Sequence, residues 1–232
     1  MAGQPEYRYV DGSYEHLEST LPDAREIVPE VLRLIRPGSV IDLGCGIGTW
    51  LSVFRELGVT EAVGVDGDWV DRRRLKIPDK DFLSADLRRP FVLERTFDLA
   101  VSTETAEHLP PESAACFVDS LTRLAPVVLF CAAAPFVPGN LHINCQWPSY
   151  WARLFQERGF AAADAIRKKV WTNKKVRWFY SQTMLLFLKK ANLQQYPLLA
   201  GELVDMMNAC LDVIHPDYYL EVIGRSQTGD TT

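Results

Sequence analysis

The sequence predicts a doubly wound α/β fold: a mostly parallel sheet with helices on both faces and an antiparallel last strand. Three observations predict it. Short apolar runs of strand length alternate with amphipathic stretches of helix length. The first run, residues 40–43, breaks into glycines and then into a helical pattern, as a right-handed parallel unit begins. The last two strand-like stretches lie too close together for a crossover helix, so they pair antiparallel.

Each element follows in order. Residues 23–35 place Ile27, Val28, Val31, Leu32 and Ile35 at helical spacing until Pro37-Gly38 stops them. VIDL (40–43) is a buried strand. Trp50, Leu51, Phe54 and Leu57 then share one helical face over 48–57, and Gly58 caps that helix. Residues 62–65 form the next strand, closed by Asp66-Gly67, and Phe82-Leu83 leads to Asp86. FDLAVS (97–102) is another buried strand. A helix over 111–124 turns Phe117, Leu121 and Leu124 inward, and 127–131 is a strand again. Pro148 opens a helix carrying Tyr150, Trp151, Leu154 and Phe155, closed by Gly159. Residues 160–170 and 176–188 read as a hairpin across 171–175. Residues 203–214, with the Met206-Met207 pair, read as a final amphipathic helix that His215-Pro216 ends.

The chain has 232 residues, 47% hydrophobic and 24% charged, enough for one sizeable core and too few for a second full domain. The division is a lead or lid at 1–24, a core at 25–190, and a C-terminal helix and tail at 191–232. A formal charge of −5 argues against a nucleic-acid partner, which needs a basic face. Arg72–Arg74 and the group Lys168, Lys169, Lys174 and Lys175 read as solvated faces. Five scattered cysteines show no zinc-ligand spacing and read as reduced residues. No apolar run reaches bilayer length and no secretory leader is visible, which predicts a cytoplasmic location.

The segment VIDLGCGIGTW (40–50) carries the chemistry. A dinucleotide turn needs GxGxxG, whereas Gly44, Gly46 and Gly48 give GxGxG. Asp42, two residues before the first glycine, would repel a pyrophosphate and attract a cationic ligand such as an ammonium or sulfonium.

At this point the chain resembles the class I S-adenosylmethionine-dependent methyltransferases, whose signature is an acidic strand end followed by GxGxG. Four landmarks occur in the family's order: VIDLGCGIGTW, AVGVDGDW, FLSADL and FDLAVSTETAEHLP. The resemblance implies S-adenosyl-L-methionine as cofactor and a seven-stranded sheet whose last strand reverses. It implies that the backbone of Gly44, Cys45 and Gly46 takes the cofactor's amino-acid end, and that Asp66, beside Gly67, accepts from the ribose hydroxyls. Asp86 with Leu87 would face the adenine, and Ser102 and Thr103 would flank the site. A looser likeness of the EHLP segment and the H-x-N-x-Q-W loop is to small bacterial methyltransferases of sugar, glycan and natural-product tailoring.

Methylation of a hydroxyl requires a base. His142, in a loop dense in polar side chains, is the leading candidate, and His108 is the second. Glu104, Asn144 and Gln146 are candidate acceptor contacts, although Asn144 and Gln146 would also serve as helix caps. The expected acceptor is therefore a small molecule or glycan-like hydroxyl, with no metal. One alternative is a metal-dependent RNA ribose methyltransferase, because Glu104, Glu107 and His108 match the ExxEH spacing that binds a divalent metal, with a later histidine, in small-RNA 3′-end ribose methyltransferases. Another is a non-catalytic nucleoside-binding relative. Tyr7, Tyr9 and Tyr14 would either fold as a lid or pack under the first helix.

Overall fold

The computed structural model describes residues 13–205 and 210–228. Its seven-stranded sheet has the order β3-β2-β1-β4-β5-β7-β6. The strands are β1 (Ser39–Leu43), β2 (Glu61–Asp66), β3 (Phe82–Ser84), β4 (Leu99–Thr103), β5 (Val127–Cys131), β6 (Phe160–Ala163) and β7 (Leu185–Lys189). Only β7 runs against its neighbours, pairing antiparallel with both β5 and β6. The helices are α1 (Ser13–Glu18), α2 (Leu21–Ile35), α3 (Thr49–Glu56), α4 (Ala114–Leu124), α5 (Pro148–Glu157), α6 (Arg167–Val170), α7 (Trp178–Thr183), α8 (Pro197–Ala200) and α9 (Pro216–Thr228).

The strands are apolar at nearly every position because both faces are covered. Val40, Val101, Leu129 and Leu186 point to a core made with α2 and α3 through Ile27, Val31, Leu51 and Phe54. The alternate residues Ile41, Ala100, Phe130 and Phe187 point to the opposite core, with α4 and α5 supplying Phe117, Leu121, Trp151 and Phe155. On the first face α2 is also tied to α7: the buried Asp23 accepts from the Arg177 backbone N–H at 2.7 Å and from Arg177 Nε at 2.9 Å.

Two expectations near the C-terminus are corrected. The antiparallel pair exists, with Phe160 opposite Lys189 and Ala163 opposite Leu186, but the hairpin does not. β6 ends at Ala163, and α6 and α7 fill the connection. Arg167 is the reason: it is buried, paired with Asp164 through Nε and Nη2, and donates through Nη1 to the carbonyls of Gln182 and Leu211. Satisfying that guanidinium requires the chain to turn back on itself instead of continuing straight. The helix expected at 203–214 is also not found among the described residues. Leu203 bridges to Ala163 and the Val204 N–H donates to the Ala162 carbonyl, so this segment lies along the β6 edge. Pro216 opens α9 instead of closing a helix, since a missing N–H costs nothing at a first helical position. Met206-Met207, Tyr7 and Tyr9 lie outside the described residues, while Tyr14 is core. No helix among the described residues is long and apolar enough to cross a membrane.

Candidate active site

β1, β2 and β4 end at one edge of the sheet, where the strand order reverses; in open α/β sheets the ligand crevice lies there. The glycine turn leaves β1 strapped to β2, because the N–H groups of Gly44 and Cys45 both donate to the Val65 carbonyl, at 2.8 and 3.2 Å. One residue further, Asp66 joins the two strand ends. Its Oδ2 accepts from the Gly46 N–H and its Oδ1 from the Gly67 N–H, each at 2.7 Å. Burial pushes the Asp66 carboxyl up to about 6, against the pull of those N–H donors.

The turn needs glycine for two separable reasons. Gly44 and Gly46 adopt φ of 88° and 54°, the left-handed region where other side chains are strained. A Cβ at Gly44 would stand 2.1 Å from Thr105 Oγ1, and one at Gly46 would stand 2.9 Å from a Leu17 methyl. Thr105 and Leu17 are thus neighbours of the cradle that the motif did not reveal. Nothing in the local sequence pattern marks either one.

Beneath the turn, Asp42 is 1% exposed, and its Oδ1 finds no hydrogen-bond partner among the described residues. Burial first, and the Asp66 charge second, hold its carboxyl well above the usual range. Ser102 and Thr103 close the floor, with Ser102 Oγ likewise unpartnered. Leu87 is buried in the core that α4 covers. Asp86 is half-exposed and its carboxylate is gripped by Arg88 through Nε and Nη2 at 2.7 and 2.9 Å, which pulls its pKa down.

The rim is built from two segments that the sheet edge brings together. After β4, Glu104 takes φ 51°, unusual for a side chain with a Cβ, and a 3₁₀ turn (Ala106–His108) follows. The loop after β5 docks on this turn: the N–H groups of Ile143 and Asn144 both donate to the Glu107 carbonyl at 2.9 Å. Asn144 is buried, with its Nδ2 on the Ala106 carbonyl at 3.5 Å and its Oδ1 accepting from Gln146 at 3.2 Å. Neither residue caps α5; Asp212 serves there, accepting from the Ser149 N–H at 2.9 Å.

This docking brings the two candidate bases into ring contact, with centroids 4.9 Å apart and planes at 75°. His108 Nδ1 bonds the Leu141 carbonyl and His142 Nδ1 the Val137 carbonyl, each at 3.2 Å, so both are Nδ1–H donors. Gly139 lies bare against the His142 ring, where a Cβ would come within 2.1 Å of Nε2. Burial, with His142 as the next cause, lowers His108 to about 4; burial also lowers His142. Both imidazoles are therefore neutral at pH 7. Under them Glu107 is fully buried; neither carboxyl oxygen makes a hydrogen bond of 3.5 Å or less among the described residues, and the Glu104 carboxyl and the Ala133 backbone are its near polar neighbours. Burial, reinforced by the Glu104 charge, holds Glu107 well up, while burial pushes Glu104 up to about 7. Ligand atoms of Glu107, His108 and His142 all lie within 4.8 Å of one another.

A glycine cradle that side chains would fill, an orphaned buried carboxyl beneath it and an acceptor carboxylate at the next strand end lie together at the ligand edge of an α/β sheet. Residues 15–194 match the profile described as a methyltransferase domain, and the chain belongs to that family, among the class I S-adenosylmethionine-dependent methyltransferases. Its cofactor is S-adenosyl-L-methionine. Similar solved structures include an O-methyltransferase family protein from Burkholderia thailandensis, 15% identical with a TM-score of 0.53, covering 78% of this chain and 57% of that one. Human N-acetylserotonin methyltransferase, solved with S-adenosylmethionine, is 13% identical with a TM-score of 0.53, covering 78% of this chain and 56% of that one. The methyltransferase domain of a bacterial Hen1 is 18% identical with a TM-score of 0.53, covering 72% of this chain and 97% of that one. The chain thus spans little more than half the length of the first two, and at these identities the likeness is one of fold. No curated protein sequence matches the chain.

The site's proton chemistry sets a pH dependence. Asp66 is ionised above about pH 6 and protonated below it, and the ionised carboxylate is the form that accepts from a diol. Affinity for S-adenosylhomocysteine should hold steady above pH 7 and fall as the pH drops through 6, approaching roughly tenfold per unit. Calorimetric titration from pH 5 to pH 8 checks this; a flat profile would remove Asp66 as the ribose acceptor.

Proposed function

We propose that the chain methylates a hydroxyl group on a small or glycan-like acceptor, with His142 as general base and His108 beside it. The observation that carries this reading is the pair of neutral imidazoles, each fixed by a main-chain carbonyl, at the sheet edge beside the glycine cradle. The backbone of Gly44, Cys45 and Gly46, the buried carboxyl of Asp42 and the carboxylate of Asp66 hold the cofactor, which when bound supplies a methyl group already activated on a sulfonium. What remains for the protein is to align the acceptor, exclude water and remove a proton. His142, held as the Nδ1–H tautomer, offers Nε2 to the acceptor O–H and takes its proton as the new C–O bond forms. Glu104 borders the acceptor space, and Asn144 and Gln146 hold the loop that carries His142. The net charge of −5 keeps the acceptor to something other than a polyanion.

His142→Ala should lower turnover by about 10²- to 10³-fold while S-adenosylhomocysteine affinity stays unchanged by calorimetry. Unchanged turnover would take His142 out of the mechanism.

A second reading rests on Glu107. A buried carboxyl whose oxygens make no hydrogen bond of 3.5 Å or less among the described residues, within 4.8 Å of two imidazoles, is also a donor set for a divalent cation. Nδ1–H bonds to carbonyls are how ligating histidines are commonly oriented. In this reading His108 and His142 are ligands, and the cation takes the place of the base. Titration with Co²⁺ decides: visible absorption bands and a raised melting temperature, both lost in Glu107→Gln, would establish the cation, whereas neither effect at millimolar metal would leave the imidazole base.

A further inference from the structure

We infer that Tyr218 is a positioning residue for His142: its hydroxyl, on a C-terminal helix beyond the family match, holds the strained peptide next to the carbonyl that orients the imidazole. The inference rests on His142 working through Nε2, whether as acceptor base or as cation ligand. α9 starts at Pro216, whereas the family match ends at residue 194. Tyr218 is buried, and its ring stacks on Trp178 of α7 with centroids 4.4 Å apart and planes at 23°. Its O–H donates to the Phe136 carbonyl at 2.7 Å.

That carbonyl belongs to a bend under strain. Phe136 takes φ 67°, where a side chain with a Cβ is disfavoured, and that side chain is 92% exposed, so packing of its ring does not hold the bend. A polar tie does. The Tyr218 hydroxyl takes the C=O end of the peptide joining Phe136 to Val137, and the Ala134 carbonyl takes its N–H end, accepting from Val137 at 3.2 Å. Because a peptide unit is planar, pinning both ends fixes its orientation and the direction in which Val137 leaves it. The Val137 carbonyl is the group that meets His142 Nδ1 at 3.2 Å. Hydroxyl, bend, carbonyl and ring form one relay, whose output is an imidazole with its proton on Nδ1 and Nε2 left as the acceptor.

The segment that carries Tyr218 is itself fixed, so the relay has a firm origin. The His215 N–H donates to Gln182 Oε1 at 2.7 Å; His215 Nδ1 accepts from the Asp217 N–H at 3.1 Å, which leaves Nε2–H to donate to the Trp171 carbonyl at 2.7 Å. At the far end of the His142 loop, Asp212 accepts from the Ser149 N–H at 2.9 Å and from Ser149 Oγ at 2.6 Å. Residues 212–218 therefore clasp that loop on both sides of the histidine, at Phe136 and at Ser149. Packing of α9 needs only the Tyr218 ring, whereas the bend needs the hydroxyl, and the two roles can be separated by substitution.

The experiment reads the ring directly, on the full chain with ¹⁵N-labelled histidine. Two-bond ¹H–¹⁵N spectra at about pH 8, above the range where imidazoles ionise, should show His142 of the wild type as the Nδ1–H tautomer alone. Tyr218→Phe, which keeps the stacked ring, should turn it into a mixture of tautomers. The same variant should lower methyl transfer from S-adenosylmethionine to a panel of phenols and glycosides roughly 10-fold, with S-adenosylhomocysteine affinity unchanged by calorimetry. Tyr218→Leu, apolar and without a hydroxyl, serves the comparison if Tyr218→Phe loses its native circular dichroism. A wild-type ring already mixed, or signals that the substitution leaves unchanged, would overturn the relay and make Tyr218 a packing residue. Altered signals with undiminished transfer would uphold the relay and instead take His142 out of the mechanism.

Discussion

The carboxylate of Asp66 is the interaction on which the rest of the site depends. By accepting from Gly46 and Gly67 it joins the turn after β1 to the end of β2, and it does so from a position only 5% exposed. Burying a carboxylate disfavours its charged form, and the raised pKa shows that two backbone donors only partly offset this. A fold selected for stability alone would place an apolar residue here. Asp42 repeats the pattern one layer lower, with an oxygen that no described residue satisfies. Asp42 is held in its neutral form, whereas Asp66, ionised above about pH 6, makes the crevice suit a ligand bearing hydroxyl donors and disfavours a diphosphate.

The rim obeys a different constraint, which is backbone strain. Among the described residues, the non-glycine positions with positive φ are Arg36, which caps α2, and Glu104, Phe136 and Leu141. The last three lie on the two segments that meet above the sheet edge. Such conformations persist only where the surroundings over-determine them, and they gather at functional sites. Here the surroundings are identifiable: the Glu107 carbonyl anchors the His142 loop, and the Leu141 carbonyl in turn fixes the His108 ring. The strain thereby places two imidazoles and a buried carboxyl in contact, whether the final chemistry is that of a base or of a bound cation.

Much of this was legible in the sequence because burial on both faces makes strands uniformly apolar and helices periodic, so the alternation and the order of landmarks could be read directly. The glycine turn was legible because no other residue tolerates φ near 88° with a neighbour at 2.1 Å. The C-terminal third was not, for reasons of tertiary origin. Arg167 looks like one of three consecutive surface cations, yet it is buried by partners 15 and 44 residues away in sequence. Pro216 carries the same letter whether it stops a helix or starts one. At the site, Thr105 and Leu17 reach the cradle from separate elements, and no local spacing encodes that convergence. Asn144 and Gln146 do not cap the helix end that their position suggested; they hold the loop, a role set by packing against Ala106 and Glu107.

The central claim is that a carboxylate at the second strand end, not the glycine turn alone, holds the adenosyl cofactor. Asp66→Ala, shown by circular dichroism to be folded, should give no detectable heat with S-adenosylhomocysteine in a titration where the wild-type chain binds. Retention of micromolar affinity by that variant would contradict the account.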